Sequence, residues 1–307
     1  MRVVYLGTPD FAVLPLKSLL EIDGVEIVGV VTNKDKPVGR KMVLTAPPVK
    51  TFAIENNLPV YQYDKIRIEG VDDLKALSPD LMITCAFGQI LSKEILEIAK
   101  LGVINIHASL LPKYRGASPI NFAILNGEKT TGVTIMKTDE GVDTGDIIYS
   151  EEIEIGEEET AKELFNKLSI LGAKCIKKVV KDLMNGEMKT TPQEHDKATK
   201  TTMITKQMAK LDFSKDAQTL VNTIRAFNPW PIAYAVVNGE NFKIYKAKAV
   251  TGSGKEGEVI RSDDKIVIAC KDGAIELLEV QKSGGKVLDV KDFLKGNKFA
   301  VGTVFND

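Results

Sequence analysis

Asn105, His107 and Asp143 are the residues in this chain whose types and spacing suit chemistry. The first two end the run Val103-Ile104-Asn105-Ile106-His107, and the third lies in Gly141-Val142-Asp143-Thr144-Gly145-Asp146. Val103 to His107 reads as a short buried strand. Successive side chains on a strand point to opposite faces, so Asn105 and His107 share one face while Ile104 and Ile106 take the other. Two polar groups aimed the same way from the end of an apolar strand mark a site. An amide, an imidazole and a carboxylate suit transfer of a formyl group to an amine. That reaction needs a donor for the developing oxyanion, a group to take a proton from the attacking nitrogen, and an acid for the leaving nitrogen. Asn can donate through its amide, protonated His can donate to the oxyanion, and Asp can hold the imidazolium or relay protons. No covalent nucleophile is required. Ser109 has no Gly-x-Ser-x-Gly elbow around it, and no His, Cys, Asp or Glu set has ligand spacing, so no metal is expected. His107 is one of two histidines. A lone histidine at a strand end is more often structural, and it is Asn105 beside it and Asp143 downstream that favour chemistry. His195, in a polar stretch, is expected to be solvated.

The elements that must position these groups follow from hydrophobic pattern. Arg2 to Leu6 reads as a strand, Phe11 to Leu20 as a helix and Val25 to Thr32 as a second strand, which is a βαβ unit with a parallel sheet. The turn Gly7-Thr8-Pro9-Asp10 between them lacks G-x-G-x-x-G, and Pro9 removes a donor, so a nicotinamide site is excluded. A helix is expected over 46–56, a strand over 80–87, a helix over 92–99 and the site strand over 103–107. Ser118-Pro119 gives an N-cap and first helical residue, with Gly127 beyond the helix end. Strands over 132–137 and 147–155 and a long helix over 160–183 complete the first half. The polar stretch 187–205 has no sustained period. A helix over 216–227, stopped by Asn228-Pro229-Trp230-Pro231, then leads to β-rich runs at 233–237, 242–247, 257–260, 266–269 and 274–280, separated by Gly-containing turns. The expected fold is α/β: a Rossmann-like, mostly parallel sheet with flanking helices over 1–187, a linker over 188–206, and a smaller β-barrel, OB-like, over 207–307.

Composition sets bounds and little more. A chain of 307 residues, 44% hydrophobic and 27% charged, is ordinary globular material for two domains. Its 41 basic and 42 acidic residues leave a net charge of −1, which neither predicts nor excludes nucleic-acid binding. Cys85, Cys175 and Cys270 read as buried small hydrophobes in a reducing compartment. The chain runs from Met1-Arg2 directly into a strand without a signal-peptide pattern, and no apolar run approaches a membrane span. A cytoplasmic monomer without membrane contact is expected.

The combination of Asn105-x-His107, Ser109-Leu110-Leu111-Pro112-Lys113-Tyr114-Arg115-Gly116 and Asp139-Glu140-Gly141-Val142-Asp143-Thr144-Gly145-Asp146 resembles the folate-dependent formyltransferases. The resemblance implies that Asn105, His107 and Asp143 are the catalytic trio. It implies that 10-formyltetrahydrofolate donates the formyl group, with Ser109, Leu110, Leu111 and Pro112 contacting the reduced folate. By the same resemblance the pterin lies near Phe87, Gly88, Gln89 and Ile90 and the loop Thr138 to Asp143, including Asp139. Tyr114-Arg115-Gly116 would hold the folate glutamate tail or an RNA acceptor stem, or would pin the turn before the next helix.

Within that family the match extends over nearly the whole chain for members acting on initiator methionyl-tRNA. Gly7-Thr8-Pro9-Asp10-Phe11, Lys36-Pro37-Val38-Gly39-Arg40 and Arg225-Ala226-Phe227-Asn228-Pro229-Trp230-Pro231 carry it. Members using a small purine nucleotide have only the first domain, whereas an amino sugar nucleotide or water as acceptor, or a non-catalytic RNA-binding protein on the same fold, are the alternatives. Local charge agrees with RNA. Asn33 to Lys50 holds Lys34, Lys36, Arg40, Lys41 and Lys50 against Asp35, five positive less one negative, or +4. With three prolines it reads as an exposed loop able to neutralise phosphates. The resemblance places Arg40 at the acceptor stem, with Lys36 and Lys41 beside it. From Lys206 onward 16 basic and 13 acidic residues give only +3. Trp230 reads as a packing anchor where the domains meet, in preference to an RNA-stacking platform.

Overall fold

The structure is a computed structural model that describes residues 1–39 and 41–306. They form two compact units. One comprises Met1–Gly116, Thr130–Ile153 and Phe165–Thr201, and the other Ala117–Lys129, Glu154–Leu164 and the residues from Thr202 on.

The first unit carries strands β1 (Arg2–Gly7), β2 (Glu26–Thr32), β3 (Lys36–Val38), β4 (Val43–Thr45), β5 (Val60–Gln62), β6 (Leu81–Cys85), β7 (Val103–His107), β8 (Arg115–Gly116), β9 (Thr130–Lys137), β10 (Ile147–Glu154) and β11 (Lys200–Thr201). Seven of them make one sheet in the order β10-β9-β7-β6-β1-β2-β5. The pairs β1–β2, β1–β6, β6–β7 and β2–β5 are parallel, and β9 joins β7 antiparallel. β6 is buried at all five positions, as a parallel strand covered on both faces must be. The chain runs outward from β1 in both directions, so the crevice where strand order reverses opens at the carboxyl ends of β1 and β6. In open α/β sheets that is where ligands bind. The helix Ala161–Met184, whose residues from Phe165 belong to this unit, packs behind β7. A Cβ on Gly172 would come within 3.2 Å of Ile106, so glycine permits that close approach, and Phe11 meets Phe165 edge-on at 5.3 Å.

Three local expectations are corrected. The stretch 33–50 is not an irregular loop: β3 and β4 pair as an antiparallel hairpin, and a helix, Pro48–Glu55, begins within it. The prolines are accommodated because Pro37 lies in a two-stranded ribbon, where a missing donor faces solvent, and Pro48 opens the helix, where no donor is needed. The polar stretch read as a linker is held in place: Thr191 bridges Ile147, β11 pairs with β8, and Gln193 and Thr201 are buried. Ser118 sits in the left-handed region (φ +62°) and makes no side-chain cap bond, although Pro119 does start the helix Pro119–Leu125.

In the second unit, β12 (Ala233–Val237), β13 (Glu240–Val250), β14 (Val259–Ser262), β15 (Ile266–Ala269), β16 (Ala274–Gln281) and β17 (Leu288–Asp289) form an antiparallel sheet in the order β12-β13-β16-β15-β14, with β17 on β16. It curls as a half-barrel around an aromatic centre, in keeping with the expected barrel class. Phe242 meets Phe293, Phe299 and Phe305 edge-on at 5.5, 5.5 and 5.6 Å, the offset that ring quadrupoles favour. Trp230 is 54% exposed, so the expected packing anchor is not one. The apolar work falls to Phe227, which is buried, one turn earlier. Among the described residues no helix is long and apolar enough to cross a membrane.

Candidate active site

β7 delivers Asn105 and His107 on one face, as strand alternation requires, and the loop after β9 brings Asp143 to them. Asn105 Nδ2 lies 3.4 Å from Asp143 Oδ1, and His107 Nδ1 lies 3.6 Å from Asp143 Oδ2. The second is an ion-pair separation, too long for a direct hydrogen bond. His107 Nε2 is 2.9 Å from the carbonyl oxygen of Tyr114. A carbonyl can only accept, so Nε2 carries a hydrogen and Nδ1 is the ring atom left for chemistry. Asp143 Oδ2 accepts from the Gly116 amide at 2.7 Å. His107 is buried, while Asn105 is half-buried and the Asp143 side chain is 16% exposed.

Thr84, beside Asn105 in the β6–β7 register, donates its hydroxyl to Asn105 Oδ1 at 2.9 Å. This bond turns the amide so that Nδ2, the donor, faces the carboxylate. Thr84 escaped the sequence reading, although a single threonine in the apolar run Leu81-Met82-Ile83-Thr84-Cys85 was a usable signal. The neighbouring Cys85 is no nucleophile, because burial pushes its thiol up to about 12.

The Asp143 loop is held from two sides. Asp139 Oδ1 accepts from the Gly141 amide at 3.1 Å and the Thr144 hydroxyl at 2.6 Å, so this residue, expected at the pterin, closes the loop's own turn. Gln193 Nε2 donates to the carbonyl oxygens of Asp143 at 3.0 Å and Gly145 at 2.7 Å. Its Oε1 accepts from Arg115 Nε at 3.1 Å and Nη2 at 2.6 Å. Arg115 Nη2 also reaches His195 Nδ1 at 3.1 Å. The Arg115 side chain is thus engaged by Gln193 and His195, and the exposed His195 is paired as well as solvated. Nothing in the polar composition around Gln193 signalled its part.

The expected folate segments border the same sheet end. Ser109 is fully buried, its hydroxyl donating to the Lys113 carbonyl at 2.7 Å, and Leu111 is buried with its amide on Thr134 Oγ1 at 3.1 Å. Leu110 and Pro112 are half-buried. Phe87 packs in the core beneath β1 and β6, and its carbonyl accepts from Thr8 and Asn33 at 3.2 and 2.9 Å. Gln89 accepts from the Ile66 amide at 2.9 Å and donates to Asn33 Oδ1 at 2.8 Å. Its amide thus braces the loop from within, leaving exposed Gly88 and the 73% exposed Ile90 as the outward surface. Two cavities, of ≈ 480 and ≈ 450 Å³, are lined by other residues, among them Tyr149 and Lys178 for one and Phe213 and Phe305 for the other.

Pairing reduces the basic stretch before β4. Lys50 is bound to Asp35 at 2.8 Å and Lys34 to Asp64. Lys36 and Lys41 are exposed and, among the described residues, make no ion pair, next to the exposed apolar Val38, Met42, Val43 and Leu44. Arg40 lies outside the described residues.

The family described as Formyl transferase matches residues 1–180, and Formyl transferase, C-terminal domain, matches residues 203–298. The chain is 42% identical over 308 residues to the methionyl-tRNA formyltransferase of Ruminiclostridium cellulolyticum, covering 98% of each chain. It is 43% identical to that of Bacillus subtilis, with 99% and 97% covered, and 44% identical to that of Clostridioides difficile, with 99% of each covered. Among solved structures, the N-formyltransferase from Helicobacter canadensis with folinic acid and dTDP-3-aminofucose superposes with a TM-score of 0.67 at 24% identity, over 91% of this chain and 98% of that one. HypX from Aquifex aeolicus with tetrahydrofolic acid gives 0.63 at 19% identity, over 99% of this chain and 50% of that one. These structural likenesses bear on the fold alone.

Proposed function

The chain belongs to the formyl transferase family, alongside the methionyl-tRNA formyltransferases, and from that premise we propose that it transfers a formyl group from 10-formyltetrahydrofolate to the α-amino group of methionine on initiator tRNA. The observation that carries the reading is the convergence of an amide donor, an imidazole nitrogen and a carboxylate, with the carboxylate 3.4 Å from the first and 3.6 Å from the second. The folate fits the residues present: exposed Gly88 backbone and the exposed apolar Ile90 side chain suit a flat heterocycle with an amide-like edge. When bound, it supplies the formyl group on N10 and a nitrogen leaving group.

Each residue then has a task. Asn105 Nδ2, oriented by Thr84, donates a hydrogen bond to the formyl oxygen as that atom gains charge. His107 Nδ1, the ring nitrogen not tied to the main chain, donates to the same oxygen when the ring is protonated, with Asp143 alongside. Asp143 takes the proton released by the attacking α-amino nitrogen and returns it to N10. A carbon–nitrogen bond forms to methionine as the one to N10 breaks, and no proton is left over. The basic hairpin, through Lys36, Lys41 and Arg40, meets the acceptor stem, and the domain over 207–307 adds RNA contacts.

The deciding experiment mixes the protein with 10-formyltetrahydrofolate and, separately, methionyl-initiator tRNA, an amino sugar nucleotide, or buffer alone. Formylmethionyl-tRNA should be the favoured product by orders of magnitude in kcat/KM. Preferential formylation of the sugar nucleotide, or simple hydrolysis of the donor, would overturn the assigned acceptor. A tRNA shift with no transfer would make the chain a binding protein.

A further inference from the structure

Gln193 lies in a stretch without hydrophobic period, yet it is only 5% exposed. A glutamine amide has two hydrogens and two lone pairs, and here all four have partners: the carbonyls of Asp143 and Gly145 on one side, Nε and Nη2 of Arg115 on the other. The orientation is unambiguous. A guanidinium only donates and carbonyls only accept, so the flipped amide would face donor with donor and acceptor with acceptor. Arg115 is itself buried, and the residue after it, Gly116, gives its amide to Asp143 Oδ2. Gln193 therefore ties the segment that carries the Asp143 carboxylate, through its main chain, to the segment whose Gly116 amide binds that carboxylate, through the Arg115 side chain.

The loop needs that tie. Asp143 has φ +52°, a conformation that a residue with a Cβ keeps only where its surroundings impose it. Gly145, two residues on, lies against β9 so closely that a Cβ would sit 2.0 Å from the Lys137 carbonyl oxygen. Gln193 is hydrogen-bonded to both of these residues and to neither Asn105 nor His107.

We infer that Gln193 is a positioning residue for the reaction proposed above, on which the inference rests: by holding the main chain of Asp143 and Gly145 against the Arg115-Gly116 segment, it sets the distance between the Asp143 carboxylate and His107 Nδ1. It touches no reacting atom and acts through Asp143.

The test is a double-mutant cycle. Gln193→Glu keeps the volume and the acceptor for Arg115 but removes the hydrogens given to the two carbonyls. Displacing a reacting group by about 1 Å can cost about 10²-fold, so kcat should fall by roughly 10- to 100-fold while KM for folate and for charged tRNA stays within about twofold. Added to Asp143→Ala, the same change should lower the rate less than about twofold, because residues acting as one unit are not additive. Arg115→Lys provides a second arm should Gln193→Glu not fold, with a smaller loss that Asp143→Ala likewise absorbs. Wild-type kcat in Gln193→Glu, or an undiminished further loss on top of Asp143→Ala, would overturn the inference. A readout free of turnover is the Gly116 amide proton, which hydrogen-bonds to Asp143 Oδ2 at 2.7 Å. Asp143→Ala removes that bond and should move the amide signal upfield in NMR; Gln193→Glu should move it the same way by a smaller amount, and an unmoved signal would count against the role. A wild-type protein that formylates nothing defeats the proposed reaction, whereas the Gly116 amide signal still decides about Gln193.

Discussion

Replacing Thr84 by Val tests whether the orientation of one amide matters. Val has nearly the shape of Thr, and Thr84 is buried, so the change removes the hydroxyl and little else. The hydroxyl has a single hydrogen and two acceptors in range, Asn105 Oδ1 at 2.9 Å and the Ile104 carbonyl at 3.3 Å. The shorter contact takes it. A hydrogen bond of this kind contributes a net ~1 kcal/mol, which biases the Asn105 amide about fivefold towards the orientation that presents Nδ2. Without it Oδ1 loses its partner, and the amide is oriented only by the long contact to Asp143. Single-turnover transfer from 10-formyltetrahydrofolate to methionyl-tRNA should therefore slow about fivefold in Thr84→Val, far less than the about 10²–10³ expected when the donor itself is deleted in Asn105→Ala. Thr84→Ser, which keeps the hydroxyl, should run near the wild-type rate. If Thr84→Val is as fast as wild type, or Thr84→Ser as slow as Thr84→Val, the hydroxyl does not orient the amide and the reasoning is wrong.

Arg40→Ala should raise KM for charged tRNA, most steeply at high salt, with folate affinity unchanged; equal loss of both affinities would point to misfolding instead. Gly145→Ala forces a Cβ to within 2.0 Å of a backbone oxygen, so thermal denaturation should show a loss of about 1–3 kcal/mol, typical of overpacking, together with a reduced kcat; an unchanged Tm would mean that the loop is not pressed against β9. Burial raises the thiols of Cys85 and Cys175 to about 12, and it raises that of Cys270 as well. A thiol-specific reagent at pH 8 should thus label the folded protein slowly at all three and rapidly in denaturant, and fast labelling of the native chain would contradict their burial.

What was legible in the sequence divides along a physical line. The alternation that puts Asn105 and His107 on one face depends only on strand geometry, so the expectation and the coordinates agree there, and the parallel sheet followed from βαβ spacing. Thr84 was missed because its role arises from the β6–β7 register, which hydrophobic pattern does not specify. Gln193 was missed for a stronger reason: it lies 50 residues beyond the carbonyl of Asp143 that it holds, in a largely polar stretch that neither period nor composition marks. The stretch 33–50 was misjudged because prolines were weighed as breakers without their positions, and its charge was counted before Lys34 and Lys50 met their carboxylates. Trp230 was assigned to a core by residue type alone, and the structure leaves it half in solvent.

The central claim is that Asn105, His107 and Asp143 work as one catalytic unit around the formyl carbon. Its most direct measurement is the transfer rate of Asn105→Ala, His107→Ala and Asp143→Ala singly and combined, at saturating folate and charged tRNA. Each single variant should retain folate affinity, the first two should lose about 10²–10³ in rate, and the triple variant should be little slower than the slowest single. A near-normal rate in Asn105→Ala or His107→Ala, or losses that simply multiply across the three, would contradict it.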